Sequence, residues 1–233
     1  MFSVSRVALT LTPWLAAVAL VLPASSFAAQ DFSAAEKAIF MADQLSNVRP
    51  PSTLRYSFHK AGSLEAGYDD TVAVTLSKQA DGSCCASKGE FLSGERKVPL
   101  PEIDNAKANP VILYFLEHDI REMHRLTKGS ENYFRKRIRM TVYQGATVVP
   151  ASFRYKGKTV TGQEISFKPY LDDPNRYRYE KLADKEYRFL LSDAVPGGVL
   201  GIRTRIAATA ADVPPLLTED MLIEGADPLA ARP

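Results

Sequence analysis

Apolar residues recur along this chain with different periods, and each period marks a different kind of element. From Val7 through Leu22 they form an almost unbroken run, interrupted only by Thr10, Thr12 and Pro13. From Ser33 the spacing becomes helical. Ala35, Ala38, Ile39, Ala42 and Leu45 fall on one face, and Ser33 with Glu36 has capping-box spacing, so a helix is predicted to open at Ser33 and to end before Arg49-Pro50-Pro51. Leu54, Tyr56 and Phe58 then alternate with Arg55, Ser57 and His59, the period of a half-buried strand. A second strand at Val72, Val74 and Leu76, with Gly62 and Gly67 between the two, predicts an antiparallel hairpin.

Between Asp81 and Pro101 the pattern is mixed, with Gly82, Gly89 and Gly94 separating short strand-like pieces. Asn109-Pro110 opens the clearest helix, since Asn caps well and Pro suits the first helical position. Ile112, Leu116, Ile120 and Met123 share a face of it. The helix is predicted to run to about Lys128, with Gly129 as the left-handed residue beyond its end. Ser130 can cap a second helix carrying Tyr133, Phe134 and Ile138, although Ile138, Met140 and Val142 also alternate as a strand does.

The remainder is β-rich. Val148 to Tyr155 and Val160 to Phe167 flank a Lys156-Gly157-Lys158 turn, and Glu186 to Leu191 and Val199 to Ile206 flank Asp193-Ala194-Val195-Pro196-Gly197-Gly198. Residues 208–233, rich in Ala, Pro and Asp, are expected to form a flexible tail, leaving 29–207 as a single α+β domain.

The first apolar run changes the picture of where the chain works. A lone cation, Arg6, precedes it, and Ala24-Ser25-Ser26-Phe27-Ala28 supplies the small residues a signal peptidase needs, so residues 1–28 are read as a signal peptide cleaved after Ala28. A retained membrane anchor is the competing reading, since the run is nearly long enough for a span. No cysteine adjoins the cut, which disfavours an acylated lipoprotein. The expected product is a soluble periplasmic chain.

Charge adds an exclusion: 29 basic and 27 acidic residues give +2 overall, so no global field marks a nucleic-acid binder. The two cysteines, Cys84 and Cys85, are adjacent and cannot staple distant segments. Two ordinary residues, a vicinal disulfide, and a redox or metal role all remain open for them.

Candidate chemistry gathers on the long helix at Glu117, His118, Asp119, Glu122 and His124. His118 and Glu122, four apart, can meet on one face, with Glu117, Arg121 and His124 forming a neighbouring row. The two histidines, six apart, cannot reproduce a zinc-binding HExxH. A solvated polar face competes with a metal or acid-base role for His118, Glu122 and His124. Arg135, Lys136, Arg137 and Arg139 crowd the next helix and could receive phosphate, lipid head groups included, or form a solvated face. Asp172, Asp173, Asp184 and Glu186 read either as a calcium cluster or, more simply for Asp172-Asp173-Pro174-Asn175, as turn chemistry. No Gly-x-Ser-x-Gly elbow and no phosphate-cradling glycine loop occurs, and neither Ser-x-x-Lys nor a Cys/His nucleophile pair is convincing.

The element order, an N-terminal helix, antiparallel strands, a central helical insertion and further antiparallel strands, resembles the periplasmic lipoprotein-carrier superfamily, whose half-open barrel holds acyl chains. Phe115-Leu116-Glu117-His118-Asp119-Ile120-Arg121-Glu122-Met123 and Lys168-Pro169-Tyr170-Leu171-Asp172-Asp173-Pro174 also look like uncharacterised exported proteins of proteobacteria. The resemblance implies an α+β fold: an antiparallel curved sheet or half-barrel with an N-terminal helix and a central two-helix insertion. The function expected is a non-catalytic envelope protein binding an apolar or amphiphilic small molecule, lipid among them, or a partner envelope protein. No cofactor, metal or nucleic acid is expected, and membrane contact is at most peripheral. Expected ligand-binding residues are Tyr56, Phe58, Tyr133, Phe134, Arg135, Arg137, Phe153, Tyr155, Phe167 and Phe189. The alternative is a periplasmic hydrolase or metal-dependent enzyme using His118, Glu122 and His124.

Overall fold

Strand alternation in the sequence becomes one eight-stranded antiparallel sheet, curved and unclosed, in a computed structural model. The structure describes residues 31–208 and 213–228, so the expected signal peptide lies outside the described residues. Residues from Phe32 onward form one unit.

The strands are β1 (Ser52–Ala61), β2 (Tyr68–Lys78), β3 (Cys84–Phe91), β4 (Thr147–Tyr155), β5 (Lys158–Phe167), β6 (Glu186–Leu191), β7 (Val199–Ile206) and β8 (Leu217–Ile223). Their order across the sheet is β3-β2-β1-β8-β7-β6-β5-β4. All three expected hairpins form: β1 with β2, β4 with β5, and β6 with β7. The flexible tail does not hold over Leu217–Ile223. That segment is β8, inserted between β1 and β7, where it joins the two halves of the sheet. Its alternation of buried Leu217, Glu219, Met221 and Ile223 with half-buried Thr218 and Asp220 is that of a strand; the acid at an inward position weakened the signal.

The N-terminal helix is shorter than expected. Ser33 closes the capping box with Glu36, and one α-turn, α1 (Ala34–Glu36), continues as a π-helical turn over Lys37–Met41. A 3-10 turn, Gln44–Asn47, follows. The long helix is α2 (Val111–Thr127), where the Asn109 side chain accepts from Val111 N at 3.1 Å. The left-handed residue after it is Lys128 (φ 59°), not Gly129. Gly129 has another reason to be glycine: a Cβ there would stand 2.6 Å from the Phe134 ring. The ambiguous stretch resolves as α3 (Glu131–Gly145), burying Phe134, Ile138 and Val142 at four-residue spacing.

Helix α2 packs on the sheet through Val111, Ile112, Phe115 and Met123, within a continuous core that includes Tyr56, Phe58, Val74, Phe91, Phe167, Phe189, Ile202 and Met221. At about 25 cal/mol per Å², such apolar burial supplies most of the drive for folding. Cys84 and Cys85 are joined as a disulfide at the start of the edge strand β3, with Cys85 buried and Cys84 exposed. No helix among the described residues is long and apolar enough to cross a membrane.

Candidate functional site

Two features converge on α2. On its inward face a buried ionic cluster ties it to the sheet. On its outward side an apolar groove opens between α2, α3 and the N-terminal helical turns.

The cluster grows from strand register. Lys60 lies opposite Glu219 across β1 and β8, Glu219 opposite Thr204 across β8 and β7, and Thr204 opposite Tyr187 across β7 and β6. One polar row therefore crosses four strands on the core face, and all four side chains are buried. Asp119 of α2 descends onto this row, accepting from Lys185 Nζ and from the Tyr187 hydroxyl. Glu219 Oε2 accepts from Thr204 Oγ1 at 2.8 Å and lies 3.7 Å from Lys185 Nζ. Lys60 Nζ donates to Glu65 and to Glu122, each at 3.1 Å. Arg125 closes the rim, donating to Glu65 at 2.7 and 2.6 Å and to Glu122 at 3.0 Å.

Burial is expensive for every ion here, and partners decide the protonation. Burial alone would lower the Lys185 ammonium, but Asp119 and Glu219 outweigh it and hold it above the usual lysine range. Glu219 is likewise pushed up by burial and brought well below the carboxylate range by Lys185, His118 and Lys60. For Asp119 burial wins, with Glu219 adding to it, and its carboxyl is raised.

The expected solvated polar face of α2 is corrected at His118 and Asp119, which are 5 % and 0 % exposed. The His118 ring lies against Phe58 and Phe91, centroids 5.5 and 5.1 Å away. Its Nε2 is 3.9 Å from Glu219 Oε1, beyond hydrogen-bond reach. Glu122 is engaged by Lys60 and Arg125, while His124 is exposed with Nδ1 2.7 Å from Gly129 O. The three residues of the enzyme alternative thus face different surroundings. Among the described residues no group of three or more His, Cys, Asp or Glu side chains could hold a metal. Asp173, weighed as a calcium donor against simple turn chemistry, accepts from Asn175 N at 2.8 Å within its turn and is also engaged by Tyr133 and Arg137.

The groove encloses about 610 Å³, within the range of roughly 300–1,000 Å³ typical of small-molecule sites. Its apolar wall is Phe32, Phe40, Met41, Leu100, Ile103, Leu113, Tyr114, Leu116, Ile120 and Ile138. Phe32, Met41 and Leu113 are about half exposed, an unusual state for three large apolar side chains that share one concavity. Glu36, Glu117, Arg121, Arg135 and Arg139 complete the lining.

Of the expected ligand-binding residues, only Arg135 lines this groove. Tyr56, Phe58, Phe134, Phe167 and Phe189 are buried in the core. Phe153 and Tyr155 pack in a smaller cluster with Leu190, Val195 and Leu200. Tyr133 donates to Asp173, and Arg137 donates to Pro169 O at 2.9 and 3.1 Å and pairs with Asp173 at 3.1 Å. The core face of the sheet carries these buried aromatic side chains together with the ionic row. Sequence reasoning missed Lys60, Lys185 and Glu219. The signal for Lys60 was its place two residues beyond Phe58, an inward position in the strand's alternation.

No protein-family model matches the chain, and no curated protein matches it. Among solved structures, the lipoprotein LppX of Mycobacterium tuberculosis is similar, with 8% identity, 81% of this chain and 93% of that chain covered, and a TM-score of 0.32. At that score neither a ligand nor a residue role transfers from it.

Proposed function

We propose that this chain is a non-catalytic envelope protein that holds the apolar part of a small amphiphile in the groove between α2, α3 and the N-terminal helical turns. The observation that carries this reading is the joint exposure of Phe32, Met41 and Leu113 along a concavity of about 610 Å³. Covering the exposed half of each of these side chains recovers up to roughly 1 kcal/mol apiece, which gives an apolar ligand its affinity. The leader-like residues 1–28 support an exported setting, and engagement of Glu122 and Asp119 in ion pairs argues for a structural role of the α2 acids over acid-base chemistry.

The test is fluorescence titration with N-phenyl-1-naphthylamine, a neutral apolar probe. Saturable binding is expected, weakened about tenfold in Leu113→Asp. Leu113 is half exposed, so the variant should keep the wild-type melting curve. Equal binding by wild type, Leu113→Asp and Met41→Asp would remove the groove as the site.

A further inference from the structure

The head group of that amphiphile can be read from the charges in the lining. Three arginines and two glutamates border the groove, and their commitments differ. Glu36 is held by its own capping box, its Oε2 accepting from Ser33 N at 2.9 Å. Glu117 faces two guanidinium groups, Arg135 at 3.0 Å and Arg121 at 3.6 Å. Arg135 is further engaged by Asn132 at 2.6 Å and approaches Glu131 at 4.0 Å. Arg139, one turn further along α3, has no hydrogen-bond or ion-pair partner among the described residues and is exposed at the groove. Among the described residues the groove therefore presents one uncommitted cation and no uncommitted carboxylate.

Neighbouring basic residues do not share this position. Arg137 is turned to Pro169 and Asp173, and Lys136 does not line the groove. Along α2 the apolar wall runs from Leu113 to Ile120, about 10 Å at 1.5 Å per residue. That length suits one short chain lying against the helix.

We infer that the groove selects a single-chain amphiphile with an anionic head, phosphate or carboxylate, received by Arg139 while the chain lies against Leu113, Leu116 and Ile120. This rests on the groove being the binding site proposed above. A guanidinium presents a planar fork of donors that matches two oxygens of such a head, and a cationic head would meet repulsion with no free acid to offset it.

The experiment separates head from tail with dodecyl ligands below their micelle concentrations, measured by displacement of N-phenyl-1-naphthylamine. Dodecyl phosphate and dodecanoate should bind about fivefold or more tightly than dodecyl maltoside, and dodecyltrimethylammonium should bind most weakly. Arg139→Gln should reduce dodecyl phosphate affinity about three- to fivefold, the scale of one exposed ion pair, and leave dodecyl maltoside unchanged. The preference should shrink as salt is raised. Inorganic phosphate alone should displace little probe.

Equal affinity for all four heads, or an Arg139→Gln protein with the wild-type preference, overturns anion selection while leaving the groove as an apolar site. Displacement by inorganic phosphate as strong as by dodecyl phosphate also overturns it, because the chain would then contribute nothing. A dimer that Leu113→Asp dissociates assigns the groove to a second copy and overturns it too. If no dodecyl ligand binds, the groove proposal itself fails.

Discussion

Lys60 Nζ on β1 lies 3.1 Å from Glu122 Oε2 on α2, and this contact bolts the helix to the sheet beside Glu65 and Arg125. Burial would raise the Glu122 carboxyl, but Arg125 and Lys60 outweigh it and hold it down at about 2, from an ordinary 4.5. The folded value lies below the unfolded one, so this contribution is fully present above about pH 4.5 and is lost as pH falls toward 2. Glu65 is lowered in the same sense, burial being outweighed by Arg125 and Lys60, whereas Asp119, raised by burial, works in the opposite direction. Discounted for partial solvation, Glu122 should contribute about 1–2 kcal/mol at neutral pH. Urea unfolding of wild type and Glu122→Gln across this range checks it: the variant's stability should fall less steeply below pH 4.5. Parallel curves would dispose of the claim.

Removing one member of the buried pair should cost more than removing both. Asp119→Ala leaves Lys185, 1 % exposed, without its main counter-charge, and should lose about 3–5 kcal/mol. The double change Asp119→Leu with Lys185→Met replaces the pair with apolar volume and should recover most of that loss. Denaturant midpoints of both proteins give the comparison, and a double variant as unstable as the single one contradicts it.

Gly89 on β3 leaves space that the Tyr114 ring of α2 fills; a Cβ there would stand 2.2 Å from the ring. Gly89→Ala should therefore cost about 1–3 kcal/mol. Because Tyr114 also lines the groove, the same change should weaken probe binding. Gly145→Ala, with nothing nearer than 3.8 Å, is the control and should change stability by about 0.5 kcal/mol or less. Thermal melts with the two proteins side by side decide it.

A chain stopped after Ala208 should not fold. It would lose β8 and with it the strand that links β1 to β7, together with Glu219 of the ionic row. Loss of near-ultraviolet circular dichroism and of a cooperative melt is the expected result. A truncated protein with a native melt would show β8 to be dispensable.

The elements were legible where residues repeat a local period without interruption. β1 announced itself through Leu54, Tyr56 and Phe58, and α2 through Ile112, Leu116, Ile120 and Met123. β8 was hidden because Glu219 breaks the apolar alternation of Leu217, Met221 and Ile223. The aromatic residues expected to hold a ligand are mostly core, since a sequence shows that a side chain seeks an apolar neighbour and not whether that neighbour is protein or ligand.

Local period, turn chemistry and capping by themselves determined the α+β class, the three hairpins, the paired helices and the near-neutral charge of this protein. Only the tertiary structure decided that Lys60, Asp119, Lys185 and Glu219 meet, because they come from strands, a loop and a helix far apart in the chain. It also decided that Leu113 and Met41 share an open groove. Burial and ion pairing depend on which surfaces come within a few ångströms of one another, and that proximity is fixed by packing across the sheet, to which a local pattern carries no reference.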